Sequence, residues 1–63
     1  MNFKESIRFM IKELEKEPEE TLYAAYSQIG FLLMDEKQSG RLSETAYDKL
    51  VADLYTRYYD LSA

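Results

Sequence analysis

An all-α fold, a small three-helix unit with a short first helix and a longer helical hairpin, is predicted by three features of the sequence. Apolar residues recur at helical spacing in three segments. The only proline and the second of two glycines fall between those segments, at Pro18 and Gly40. Hydrophobic residues make up 46% and charged residues 32%, the balance of a folded helical chain and not of a disordered tail.

The first helix is expected over about residues 3–16. Phe3, Ile7, Met10, Ile11 and Leu14 fall on one stripe of a 3.6-residue period, and the opposite side is polar apart from Phe9. Asn2, with Glu5 three residues on, reads as a capping box. The helix should stop before Pro18, which is expected at the first position of a second helix over about residues 18–38, with Glu19 and Glu20 meeting its positive end.

The main stripe of the second helix is Leu22, Ala25, Tyr26, Ile29, Leu32 and Leu33. Tyr23, Gly30 and Met34 lie on one flank, and Ala24 and Phe31 lie nearly opposite. A helix apolar most of the way round is normally surrounded, and two neighbours cover only part of it. The sequence therefore points to self-association or to another partner chain. Gly30 is unfavourable in mid-helix by about 1 kcal/mol against Ala, and the expectation is a closely approaching neighbour or a slight bend.

Ser39-Gly40 ends that helix, with Lys37 in its last turn. Ser43 then caps a third helix over about residues 44–60, and Leu42 and Tyr47 have the spacing of a hydrophobic staple. Ala46, Tyr47, Leu50, Val51, Leu54, Tyr58 and Leu61 form its apolar face. Lys49, Asp53 and Arg57 stand four apart on the other side and are expected to pair.

A chain of 63 residues is one small domain. Cysteine and histidine are absent, which removes disulfides, Cys/His zinc patterns and the usual acid-base side chain. The serines have no histidine base, the acids are scattered over outward helix faces, and two glycines do not build a phosphate-cradling loop. The chain is read as a non-enzyme with no catalytic residue, no cofactor and no metal ligand.

The stretch Asp35–Ala46 can be laid on the twelve-residue calcium loop of an EF-hand, with Asp35 first, Ser39 fifth, Gly40 sixth and Leu42 eighth. Lys37 stands third, where an oxygen ligand is needed, and Ala46 stands twelfth, where a bidentate Glu belongs. A degenerate EF-hand-like loop without useful calcium binding is the remote alternative. A helix end followed by a cap is the better reading.

The net charge of -4 argues against a nucleic-acid partner and for one with a basic surface. The row Lys4, Arg8, Lys12 and Lys16 is basic, but Glu5, Glu15 and Glu13 are placed three residues from Arg8, Lys12 and Lys16 and are expected to compensate it. The same acids disfavour membrane-surface binding by the first helix, and the charge-free run Thr21–Met34 is too short and too polar to span a bilayer. No secretory pattern is visible in Met1–Glu5, so a cytoplasmic location is expected.

Six Tyr and three Phe exceed what a minimal core demands. Tyr26, Tyr47 and Tyr58 fall on core stripes. Tyr23, Phe31, Met34, Tyr55 and Tyr59 are expected to contribute to one protein-binding surface, and Phe9 projects from the first helix as a further candidate. The function expected is that of a small acidic helical interaction module, a regulator or inhibitor that binds a surface of a larger protein. A structural homodimerisation module with no further partner is the alternative.

Overall fold

In a computed structural model describing all residues Met1–Ala63, the chain forms three α-helices and no strand. Helix α1 spans Phe3–Glu13 and is followed by a 3₁₀ turn, Leu14–Lys16. Helix α2 spans Glu19–Gln38, and α3 spans Glu44–Ser62. The molecule measures 33 × 20 × 15 Å, with α2 and α3 packed most closely and α1 laid across them.

Each boundary has a local cause. The Asn2 side chain accepts from the Glu5 amide at 2.9 Å and donates to the Glu5 carboxylate at 3.1 Å, so the cap and its partner hold each other. The α-helical part of the first segment ends at Glu13, three residues short of the expected end. Glu17 precedes a proline and is held extended at ψ 135, so the turn before it tightens to 3₁₀. Pro18 stands one residue earlier than expected, at the N-cap of α2, because its ψ of 150 is still extended. Helix α3 runs two residues beyond the expected 60, to Ser62, and Leu61 packs on the core there.

The α2/α3 connection is a Schellman turn. Gly40 adopts φ 82, the left-handed conformation that glycine takes without penalty. The Arg41 and Gly40 amides donate to the carbonyls of Glu36 and Lys37, both at 3.1 Å. The Glu36 carbonyl also accepts from the Leu42 amide at 3.2 Å and the Ser39 hydroxyl at 2.9 Å. The Glu36 carboxylate meets the Arg41 guanidinium through two nitrogens at 2.9 to 3.2 Å, holding that charge-assisted pair and raising the Arg41 pKa further. Ser43 then accepts from the Ala46 amide at 3.1 Å and starts α3.

The core is nine residues, all aliphatic: Ile7, Ile11, Leu14, Leu22, Ile29, Leu33, Leu42, Leu50 and Leu54. Leu42 is the loop's contribution and is 5% exposed, so the turn is plugged from inside. Met10 and Leu32, placed on core stripes by their spacing, are instead exposed at 40% and 39%. Both lie at the edge of their stripes, and three helices enclose too narrow a layer to cover edge positions. No helix is long and apolar enough to cross a membrane.

Replacing Leu54 with Ala is expected to cost about 2 to 5 kcal/mol, because the side chain is 2% exposed within this single core layer. A urea titration followed by circular dichroism measures it. A loss below about 1 kcal/mol would contradict the packing described for α3.

Candidate functional site: an aromatic groove between α2 and α3

Tyr23, Ser27, Phe31 and Met34 recur along one flank of α2. Val51, Tyr55 and Tyr59 do so along the facing flank of α3. Between the two helices these flanks border an open groove of about 240 Å³ lined by Tyr23, Tyr26, Gly30, Phe31, Met34, Tyr47, Val51 and Tyr55, among others. No Lys, Arg, Asp or Glu lines it.

Four of the six candidate residues, Tyr23, Phe31, Met34 and Tyr55, share this groove. Tyr59 adjoins it through Tyr55, at a ring separation of 6.3 Å, and also packs against Tyr58, at 6.0 Å. Phe9 lies elsewhere, in a second cleft with Met10, Ala25, Gln28 and Ile29 between α1 and α2. Tyr23, Phe31 and Tyr59 are the most open of the six, at 65%, 65% and 66% exposure.

The tyrosines form a connected network. Tyr26 and Tyr58 stack across the helix pair at 4.2 Å and 22°, and both are half-buried. Tyr23 packs against Tyr26 at 5.9 Å and Tyr58 at 6.2 Å, and Tyr55 packs against Tyr26 at 5.9 Å. Such ring pairs add about 0.5 to 1.5 kcal/mol beyond their area. The network also presents rigid, largely apolar rings with wet hydroxyls, which lose little entropy on contact with a partner. At the other end of the groove, the Lys37 ammonium sits 4.4 Å from the Tyr47 ring centre.

Partial burial under its neighbours pushes the Tyr26 phenol up to about 12, and the adjacent phenols of Tyr55, Tyr59 and Tyr23 add to the effect.

Gly30 lies in the groove, and a Cβ placed there meets nothing within 4 Å. The expected close neighbour is therefore absent from this chain's own fold. The space beside Gly30 is left open to the groove.

The aromatic surface runs into an acidic cleft of about 450 Å³ where the Glu17–Glu19 turn faces the end of α3. Glu15, Glu17 and Glu19 line it beside Tyr23, Tyr58 and Leu61, and no cation does. Arg57, which does not line the cleft, approaches Glu15 at 4.0 Å. Sequence reasoning found the exposed aromatics but not this juxtaposition, which depends on how the Glu17-Pro18 turn is set against α3. At the opposite end of the hairpin, the EF-hand-like stretch is folded as the Schellman turn, with Glu36 engaged by Arg41 and Lys37 by Tyr47.

Comparison with protein families, with curated proteins and with solved structures finds no match to this chain.

The raised Tyr26 pKa sets an alkaline limit. Its folded value of about 12 exceeds the ordinary 10.0, so its contribution to stability is complete below pH 10 and lost as pH rises from there through 12. Absorbance titration at 295 nm should show one late-ionising phenol that Tyr26→Phe removes. If the late phase survives that substitution, the assignment to Tyr26 fails.

Proposed function

We propose that this protein is a small interaction module, a regulator or inhibitor, that docks its α2/α3 aromatic groove onto a larger protein. The partner surface has an apolar anchor flanked by Lys or Arg, as on one face of a basic amphipathic helix. The observation that carries this reading is that the uncharged groove and a cleft lined by three carboxylates and by no Lys or Arg meet at Tyr23, which borders both. An apolar anchor fills the first while basic residues meet Glu15, Glu17 and Glu19 in the second.

Gly30 supports the same reading. It is unfavourable in α2 by about 1 kcal/mol against Ala, and nothing inside the chain requires it. It keeps open the space that an anchor would enter. The reading is of a binding protein and not an enzyme, since the only ionisable groups in the groove are phenols. Homodimerisation through the groove is the competing use. It would set one groove against another without supplying cations to the acidic cleft, since no Lys or Arg lines either surface.

The test is an NMR titration of the labelled protein with a synthetic Lys-flanked, Leu-anchored amphipathic peptide, alongside sedimentation equilibrium of the protein alone. Expected are saturable shifts at Tyr23, Gly30 and Phe31, a weakening of at least tenfold by Phe31→Glu with helicity unchanged, and weaker binding at high salt. Shifts confined to α1, or no saturation, would overturn the reading. A stable dimer abolished by Phe31→Glu would replace it with the homodimer.

Gly30→Ala separates fold from function. The substitution should raise stability by up to about 1 kcal/mol, measured by thermal melting, while weakening the same peptide. Tighter peptide binding would show that the groove does not take an anchor at Gly30.

A further inference from the structure

The α1/α3 seam gathers the cations that the aromatic face lacks. Lys4 and Arg8, one turn apart on α1, and Lys49 of α3 border a pocket of about 260 Å³ together with the hydroxyl residues Ser43 and Thr45. No carboxylate lines this pocket.

Of the compensation expected for the helix 1 cations, only the Glu13–Lys16 pair is formed. Glu5 is engaged by Asn2, Glu15 faces Arg57, and Glu13 pairs with Lys16 at 3.1 Å. On α3, neither Lys49 nor Arg57 pairs with Asp53. Lys4, Arg8 and Lys49 thus have no carboxylate within 4.0 Å. Three cations bordering one pocket without an internal anion disfavour one another, and an incoming anion relieves that cost.

The donor set defines the anion. A guanidinium supplies a planar fork of N–H donors, two ammonium groups supply mobile point charges, and two hydroxyls add neutral donors. That combination suits the several oxygens of a phosphoryl group better than a single carboxylate. Ala46 and Leu50 are the only apolar residues lining the pocket, so it has no aromatic platform for a nucleobase. Beyond Arg8 the seam continues past Lys12 and Arg57, but Asp53 and Asp60 line that stretch and repel a polyanion laid along it.

We infer that the Lys4/Arg8/Lys49 pocket is a binding site for a small phosphoryl anion of the size of phosphate or pyrophosphate. This site is independent of the aromatic groove and shares no lining residue with it.

The test is a titration of the full chain with inorganic phosphate and, separately, with pyrophosphate, at constant ionic strength set by chloride. Amide shifts of Thr45 and Ala46 and the Arg8 side-chain Nε signal are followed. Saturable shifts are expected at these groups, tighter for pyrophosphate. Arg8→Gln and Lys49→Gln should each weaken binding about tenfold with the helical circular dichroism spectrum unchanged, and Phe31→Glu should leave it unaltered. Because Arg8 and Lys49 are both exposed, neither substitution removes a core contact. The inference is overturned if shifts match those produced by chloride alone, if both Gln variants bind as the parent does, or if a DNA oligonucleotide or a phosphoserine peptide binds the pocket more tightly than pyrophosphate.

Discussion

Nine isoleucine and leucine side chains form the whole buried core of the three helices, and that small number constrains everything outside them. A layer this narrow has no fully enclosed position for an aromatic ring, and each of the six Tyr and three Phe is at least partly exposed. Tyrosine suits the resulting positions because its ring can close a seam while its hydroxyl stays in water. The Tyr26-Tyr58 stack therefore does two things at once. It packs against the aliphatic core between α2 and α3, and it supports the exposed outer rings of Tyr23, Tyr55 and Tyr59.

A core so small also depends on helix register, which the α2/α3 turn fixes. The Glu36 carbonyl accepts three hydrogen bonds, the Glu36 carboxylate clamps Arg41, and Leu42 is driven inward between them. Because Ser43 starts α3 immediately afterwards, the turn sets which α3 residues join Ile29 and Leu33 in the core, and they are Leu50 and Leu54. A one-residue slip would turn α3 by 100°, carrying Tyr55 into the core and Leu54 out of it.

Much of this was legible in the sequence because it depends on neighbours along the chain. Asn2 with Glu5, Ser43 before α3 and Gly40 after α2 are signals read within one turn, and each does what its spacing implied. The stripes of Ile7, Ile11, Leu50 and Leu54 were equally plain. Legibility stopped at stripe edges: Met10 and Leu32 have the right period but lie outside the narrow enclosed layer. It stopped again at ion pairs. Spacing allows Glu5 with Arg8, yet Asn2 competes for the same carboxylate; Glu15 can approach Lys12, yet folding brings Arg57 opposite it. Tyr23, Met34, Tyr55 and Tyr59 were placed beside the core stripes by spacing alone, whereas Phe31, placed nearly opposite the main stripe, joins Tyr23 and Met34 only because the groove wall reaches round α2, and the separation of Phe9 required knowing on which side of α2 the first helix lies.

The net charge of -4 is a poor description of what a partner meets. The shielding length at physiological salt is about 8 Å, shorter than each dimension of the 33 × 20 × 15 Å molecule. Charges on one face are therefore largely hidden from the other. One end of the aromatic surface carries Glu15, Glu17 and Glu19 without cations lining their cleft, while the α1/α3 seam holds Lys4, Arg8 and Lys49 without acids lining their pocket. Each face acts by its own local charge. Averaging them into one acidic number excludes anionic ligands from the whole molecule, when the argument applies only to the side that is acidic. A 63-residue chain can in this way present two surfaces of opposite preference on one small core, because α3 contributes a different flank to each.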